Sequence, residues 1–391
     1  MDIQSIAGLV FLLAMISFVV VNRKRIVLQK IIFPFLYVVM YRSQWGIAWM
    51  DSLASRFPRT LRALGVVGVA IGFLGMGLIT YELVSSSWML LTTPDAPPTI
   101  KPVLPFEAKG VFFVPFLYWI TAIFVIAGVH EFAHGVMARV YGLPVKSSGF
   151  AFLGILIPVV PAAFVEPDEK KLVKRGVGDQ LAIFAAGPFS NLIFAGFVFL
   201  IIFLVVNPVY ARMIDFTGVK VATVNAESPA SRAGFEPGEL ITRIGEVPVT
   251  SVENFTAVLR KSHPGETLEV VTNISTRIIV LGMTEKNASK PFFGIAASQG
   301  TRHKPEFVAA YGQTLTEFLR WTFGLFYWLL LLNLGIGLFN LLPLGPIDGG
   351  RMLHLVLSRY VPAPIGTQIF SFVSFALLGL ILANVAIGFV R

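Results

Sequence analysis

A single apolar segment, VFFVPFLYWITAIFVIAGVHEFAHGVM at residues 111–137, decides how this chain folds. About 20 predominantly apolar residues are enough for a helix to cross a bilayer. The segment meets that length, yet its last third carries His130, Glu131 and His134. Ionisable side chains inside a membrane helix are costly and are functional candidates by default. The segment therefore predicts a membrane helix that carries a reactive centre.

The composition of the whole chain agrees with a membrane protein. Of its 391 residues 55% are apolar and only 14% are charged, and 35 are Phe. A soluble protein of this composition would expose large apolar patches and aggregate. The net charge is +9, but the basic residues cluster just outside apolar stretches, which is typical of the positive-inside rule and not of nucleic-acid binding. Because the chain has no Cys, any metal must be held by His and carboxylate.

Hydropathy predicts six membrane spans and two less regular apolar segments. The segment 31–50 contains Pro34 and Arg42 and is predicted to be an interfacial helix. The segment 148–165 is broken by Gly and Pro and is predicted to be re-entrant. The six spans are predicted near residues 5–21, 63–85, 111–137, 181–206, 314–341 and 366–389.

The distribution of charge predicts the orientation of these spans. No basic residue precedes the first span, whereas Arg23-Lys24-Arg25 follows it, so we expect a retained helix with its N-terminus outside. The basic segment 23–62 then lies in the cytosol, and residues 210–305 lie outside. The span 111–137 then runs from the outside to the cytosol. Its polar residues lie in its last third, so they are expected near the cytosolic face.

The His-Glu-Phe-Ala-His sequence at 130–134 has the spacing of a metal site. Residues i and i+4 of a helix share one face, so both imidazoles can reach one Zn²⁺. Glu131 is turned about 100° from His130, close enough to take a proton from a metal-activated water without ligating. The alternative is that these side chains lie past the membrane edge and make ordinary polar contacts.

A site of this type needs a third protein ligand and an open fourth position. Asp348 is the best donor, since it lies within NLLPLGPIDGG at 340–350, where Pro and Gly interrupt a helix beside an apolar segment. Irregular backbone at membrane depth is tolerated where it lines a cavity. The alternatives are that Asp348 only caps the next helix, and that His354 is the ligand instead.

A third motif, Gly-Pro-Phe-Ser-Asn at 187–191, lies in the fourth predicted span. Pro188 frees backbone groups, and the amide of Asn191 offers a donor and an acceptor. Small residues in membrane helices often serve helix packing alone, and this alternative stays open.

Together these motifs resemble the site-2 protease family of intramembrane zinc metalloproteases. The resemblance runs from His130 to about residue 387 and rests on HExxH, GPxxN and NxxPxxxxDGG in that order. It implies Zn²⁺ on His130, His134 and Asp348, with Glu131 as the general base. It also implies that Asn340 and Asn191 bind the substrate backbone or stabilise the oxyanion.

Between the motifs the composition becomes that of a soluble domain. The run SPASRAGFEPGELI at 228–241 resembles a circularly permuted PDZ domain, with a short helix expected around 229–233 and another near 251–261. PDZ domains bind an extended peptide as an added strand. The alternative is a steric filter that binds nothing and excludes substrates with bulky outside domains.

The predicted fold class is therefore a mainly α, polytopic membrane protein with a small α+β PDZ-like extracytosolic domain. We expect an intramembrane zinc endopeptidase of the cell membrane that cleaves transmembrane segments of single-span proteins. A transporter or metal carrier and an inactive scaffold are the alternatives. The predicted regions are the N-terminal membrane helices and loops (1–110), the first half of the catalytic core (111–209), the PDZ-like domain (210–300) and the second half of the core (301–391).

Overall fold

A computed structural model of the chain describes residues 3–32, 36–93, 96, 98–155, 157–284 and 287–390. The helices are α1 (Ile3–Val21), α2 (Ile47–Arg56), α3 (Pro58–Thr92), α4 (Phe116–Val140), α5 (Glu169–Leu172), α6 (Val177–Ile201), α7 (Asn207–Met213), α8 (Pro229–Arg232), α9 (Val252–Lys261), α10 (Pro305–Tyr311), α11 (Gln313–Phe339), α12 (Asp348–Tyr360) and α13 (Ala363–Val390). The strands are β1 (Ile26–Ile32), β2 (Leu36–Ser43), β3 (Val103–Leu104), β4 (Phe112–Phe113), β5 (Val145–Ile155), β6 (Ile157–Pro167), β7 (Ile214–Val224), β8 (Leu240–Ile244), β9 (Val247–Pro248), β10 (Thr267–Thr272), β11 (Thr276–Val280), β12 (Gly282–Thr284), β13 (Asn287–Phe292) and β14 (Ile295–His303).

Among the described residues, five helical stretches are long and apolar enough to cross a membrane, and they coincide with five of the six predicted spans. The first predicted span, 5–21, is the exception: it lies in α1, whose apolar stretch Ile6–Val21 is shorter than the other five. The chain is thus a polytopic, mainly helical membrane protein. The five stretches are α3, α4, Val177–Met213, α11 and α13.

The chain divides into two compact units. Unit 1 comprises Met1–Ile202 and Phe323–Arg391, and unit 2 comprises Phe203–Thr322. Unit 1 contains all the predicted site residues.

Glycines on one face of α3 allow the helices of unit 1 to pack closely. Gly65, Gly68 and Gly72 are buried and recur at the three- and four-residue spacing of a helix face. A Cβ at Gly72 would lie 2.9 Å from the Met352 side chain of α12, and one at Gly68 would lie 3.0 Å from Phe189 of α6. Small residues let membrane helices approach in this way. The stripe therefore fixes α6 and α12, which both carry site residues, against α3.

The N-terminal part of unit 1 also contains a four-stranded antiparallel sheet in the order β1-β2-β5-β6. The prediction of an interfacial helix over 31–50 is wrong, because the described part of that segment is strand as far as Ser43 and becomes helical only at Ile47. Residues 33–35 lie outside the described residues. β-Branched and aromatic residues such as Val39 and Tyr41 favour a pleated strand, provided that a partner is available. β2 has two partners: the neighbouring β1 and, on its other side, β5, about 100 residues later in the chain.

The segment 148–165, predicted to be re-entrant, belongs to the hairpin of β5 and β6. Ser148 is opposite Val165 and Phe150 is opposite Ala163 in this pair. The described residues provide no strand partner for the outer edge of β6. This open edge runs past α4, which carries the His-Glu-Phe-Ala-His motif.

Unit 2 has the α+β architecture predicted for residues 210–300. Its main sheet has the order β11-β10-β8-β7-β14, with β9 paired to β8, and the predicted helices are α8 and α9. Ile241 and Val270 lie in its fully buried core. A buried ion pair joins Glu239, which is 2% exposed, to Arg277 over 2.5 Å.

Candidate metal centre and its cavity

Three side chains from two helices converge in unit 1. His130 and His134 lie one turn apart on α4, and Asp348 is the first residue of α12. Asp348 Oδ2 lies 3.0 Å from His130 Nε2 and 3.3 Å from His134 Nε2, and the two Nε2 atoms are 3.1 Å apart. Tetrahedral ligands at about 2.0–2.1 Å from zinc lie roughly 3.3 Å from one another. The three side chains therefore fit one zinc ion.

Asp348 reaches the histidines because the chain between α11 and α12 is irregular. The amide of Gly349 donates to the carbonyl of Asn340 over 2.8 Å, which folds this loop back on the end of α11. A Cβ at Gly349 would overlap the carbonyl of Leu341. Asp348 itself is 8% exposed and pairs with both histidines, so it does more than cap α12.

Hydrogen bonds from outside the cluster orient the two imidazoles. His134 Nδ1 lies 2.7 Å from the carbonyl of Ile183, and His130 Nδ1 lies 3.2 Å from Nδ2 of Asn191. The Asn191 backbone carbonyl in turn accepts a 2.9 Å hydrogen bond from the Asn333 amide of α11. Partners of this kind hold metal-binding histidines in one tautomer and orientation.

Asn191 also supplies an independent sign that the cluster suits a metal. Its Oδ1 is buried and has no hydrogen-bond partner among the described residues. When Nε2 of a histidine binds a metal, Nδ1 carries the proton and needs an acceptor. A half-turn of the Asn191 amide would bring Oδ1 to Nδ1–H of His130 and satisfy both groups.

Glycine at position 187 leaves the room that the cluster requires. Gly187 lies on α6, and a Cβ there would overlap the Nε2 atoms of both His130 and His134. Two residues of the Gly-Pro-x-x-Asn motif, Gly187 and Asn191, therefore contact the cluster directly.

The cluster opens into a cavity of about 620 Å³. Glu131 lines the same cavity, and its Oε2 accepts a hydrogen bond of 3.0 Å from the backbone amide of Val165 on β6. Asn340 lines it as well. The remaining walls carry charged side chains, namely Lys146, Glu166, Glu169, Lys170 and Arg351.

Two of the residues considered from sequence do not line this cavity. Asn191 is 0% exposed, so it contacts His130 from behind and has no surface for a substrate. His354 packs its ring against Phe370, with centroids 4.9 Å apart, and is not part of the ligand cluster. Sequence reasoning missed Asn333, although an Asn within the apolar run LLLLNLGIG at 329–337 is a recognisable signal.

Helices long and apolar enough to span a membrane, together with a His-His-Asp cluster that fits a metal ion, are typical of the class of zinc metalloproteases within membranes. In a comparison with known families, residues 118–383 match Peptidase family M50. Since this match covers more than half of the chain, the chain belongs to Peptidase family M50. This match and two relatives named zinc metalloprotease confirm the resemblance to the site-2 protease family and the metalloendopeptidase class. Together with the cluster of His130, His134 and Asp348, they also confirm Zn²⁺ as the metal.

Individual relatives agree with this family. An uncharacterized protein of Methanocaldococcus jannaschii is 27% identical over 79% of this chain and 74% of its own length. The zinc metalloprotease RasP of Oceanobacillus iheyensis is 25% identical over 56% of this chain and 61% of its own. The zinc metalloprotease Rip1 of Mycobacterium bovis is 28% identical over 44% and 45%, respectively. The chain therefore spans about half to three quarters of the length of these relatives.

Among solved structures, this chain is similar to the PDZ domain of an SdrC-like protein from Listeria innocua. The sequence identity is 26%, the match covers 22% of this chain and 99% of the other, and the TM-score is 0.19.

Proposed function

We propose that this chain hydrolyses peptide bonds within the transmembrane segments of single-span membrane proteins. The observation that supports this proposal is the convergence of His130, His134 and Asp348 on one cavity, between helices apolar enough to span a membrane. Glu131 faces the same cavity, so a metal and a base would meet a substrate together.

In this proposal His130 and His134 hold zinc through Nε2 and Asp348 holds it through a carboxylate oxygen. Zinc supplies Lewis acidity, which polarises a peptide carbonyl and lowers the pKa of water to about 7. The Asn191 amide and the Ile183 carbonyl keep both imidazoles in the ligating orientation.

Glu131 acts as the general base. Its carboxylate takes the proton of the attacking water and then gives that proton to the nitrogen of the leaving amine. The hydrogen bond from Val165 fixes Oε2 and leaves Oε1 for the reacting proton.

The substrate backbone is held in an extended form, because an intact helix conceals its amides. The open edge of β6 can accept it as an added strand. Asn340, which lines the cavity, binds the substrate backbone or the oxyanion. Asn191 has a positioning role instead, since it is fully buried.

Charge supports an active site near the cytosolic face. The ligand-bearing end of α4 leads, through the hairpin, to the basic residues Lys170, Lys171, Lys174 and Arg175. Basic segments stay in the cytosol, so the PDZ-like domain, one span later, would be extracytosolic.

In that position the PDZ-like domain recruits an extended peptide or excludes substrates with bulky outside domains. A free peptide that competes with substrate would favour recruitment, whereas faster cleavage of substrates with trimmed outside domains would favour exclusion.

The proposal is tested with the full chain purified in detergent and a single-span test protein. We expect product that a zinc chelator abolishes and added Zn²⁺ restores. Glu131→Gln should lose at least 100-fold in rate while its zinc content stays unchanged. Glu107→Gln, on an exposed loop, is the matched control and should cleave normally. Equal cleavage by Glu131→Gln and the unmodified chain would refute the role of Glu131.

A further inference from the structure

A second cavity, of about 490 Å³, lies in unit 1 beside the metal-site cavity. We call it the aromatic groove. It lies among α2, α4 and the β5–β6 hairpin, and its outer rim is formed by Trp45 and Trp49, whose ring centroids are 5.9 Å apart. Both tryptophans are exposed, so the groove is open on that side. The aromatic side chains that line it are Trp45, Trp49, Phe124, Phe132, Phe150 and Phe164.

The aromatic groove and the metal-site cavity share a wall. Glu131 and Val165 line both of them, and their hydrogen bond of 3.0 Å forms part of that wall. A group in the groove therefore lies next to the carboxylate that would act as the base. The groove also follows the open edge of β6 through Ala163 and Val165.

A chain extended along the open edge of β6 would project alternate side chains to opposite faces of the sheet. One of these faces is the groove.

We propose that the aromatic groove is a specificity pocket that receives one large apolar side chain, of Phe or Trp size, from a substrate residue flanking the cleaved bond. This inference rests on the proposed function. Glu131 and Val165 line both the groove and the metal-site cavity. A side chain in the groove would therefore belong to a substrate residue next to the cleaved bond.

Gly128 forms part of the wall of this pocket. It lies on α4 three residues before Glu131, and therefore on the same side of the helix. A Cβ at Gly128 would meet no atom within 4 Å, although the residue lines the groove. The backbone at this position therefore has room for an added Cβ, so larger side chains here can serve as probes of the groove.

The test uses the zinc-loaded full chain and single-span substrates that carry Ala, Leu, Phe or Trp at each position flanking the cleaved bond. At one of these positions we expect kcat/KM for Phe or Trp to exceed that for Ala by about tenfold or more. Gly128→Phe should reduce this ratio to about one or invert it while the Ala substrate is still cleaved, and Gly128→Ala should have an intermediate effect. Gly77→Phe on α3, where a Cβ also meets no atom within 4 Å, is the matched control and should keep the original preference.

A binding measurement separates this inference from the proposed function. A substrate with a photo-reactive benzophenone side chain at the preferred position should crosslink to peptides containing Trp49, Gly128 or Phe150. The crosslink should disappear in Gly128→Phe and persist in Gly77→Phe. Uniform rates across the substrate series, an unchanged preference in Gly128→Phe, or crosslinks outside the groove would each overturn the inference. Crosslinks in the groove without zinc-dependent cleavage would leave the pocket standing and refute the proposed function.

Discussion

The backbone amide of Val165 donates a hydrogen bond of 3.0 Å to Oε2 of Glu131. This contact joins the open edge of the β5–β6 hairpin to the helix that carries both histidines. The same strand edge that could hold a substrate therefore also orients the carboxylate that would serve as the base. Substrate position and base position are linked through a single backbone group.

Replacing Val165 by Pro removes that donor. The strand already contains Pro161 and Pro167, so another Pro on its open edge is compatible with the fold. We expect kcat to fall by about tenfold to 100-fold, because the carboxylate loses its orientation, while zinc content is unchanged. Ala163→Pro removes the amide two residues away on the same edge and should act mainly on KM. Identical effects of both variants on kcat and KM would argue against a specific role for Val165.

Gly187→Ala should destroy the metal centre. Its Cβ would overlap the Nε2 atoms of His130 and His134, so the imidazoles must move apart. We expect zinc content and activity to fall together, by about tenfold or more. Metal analysis of the purified protein measures this directly. Gly196→Ala, on the same helix, adds a Cβ that meets no atom within 4 Å and should retain its zinc. Full zinc occupancy in Gly187→Ala would show that the cluster does not hold the metal.

Asn191→Ala should weaken zinc binding by about tenfold to 100-fold, because His130 loses the partner of its Nδ1. Activity should return at high zinc concentration, as expected for a positioning residue. Asn191→Asp restores an acceptor and should bind zinc nearly as well as the unmodified chain. Asn384→Ala removes another buried amide, which bonds Ser87 on α3, and serves as the control. If Asn191→Ala raised KM alone, the residue would belong to substrate binding after all.

In unit 2 the buried pair of Glu239 and Arg277 predicts a pH-dependent stability. Burial alone would raise the pKa of Glu239, but hydrogen bonds from Arg277 and from the Glu236 amide outweigh it and hold the pKa below its usual value. A lowered carboxylate pKa stabilises the fold above the unfolded-state pKa of about 4.3, and this contribution disappears as the pH falls through the folded-state pKa. Glu239→Gln should therefore destabilise unit 2 by about 1–3 kcal/mol at pH 7 and by less below pH 4.

Hydrogen exchange of unit 2 amides in the full chain measures that difference. Glu246→Gln, at an exposed turn, is the control and should exchange like the unmodified protein at every pH. If the difference in unfolding free energy between Glu239→Gln and the unmodified chain stayed constant from pH 7 to below pH 4, this result would contradict the electrostatic explanation.

The part of the site that sequence alone could predict is the part that depends on residues close together in the chain. Helical periodicity places His130 and His134 on one face, and the Pro- and Gly-rich loop before Asp348 indicates an irregular segment at depth. The sheet could not be predicted in the same way, because β2 pairs not only with the neighbouring β1 but also with β5, about 100 residues later in the chain. The contact between the Asn191 amide and His130 was also beyond sequence, because it depends on how α6 packs against α4.

The metal centre joins two residues, His130 and Asp348, that lie 218 positions apart in the chain, and all of unit 2 is inserted between them. During translation the histidines are therefore made long before their carboxylate partner. A nascent chain that has inserted α4 but not yet α12 has only two of its three ligands. The enzyme would thus gain its proteolytic activity only after the inserted domain and the start of α12 have both been synthesised.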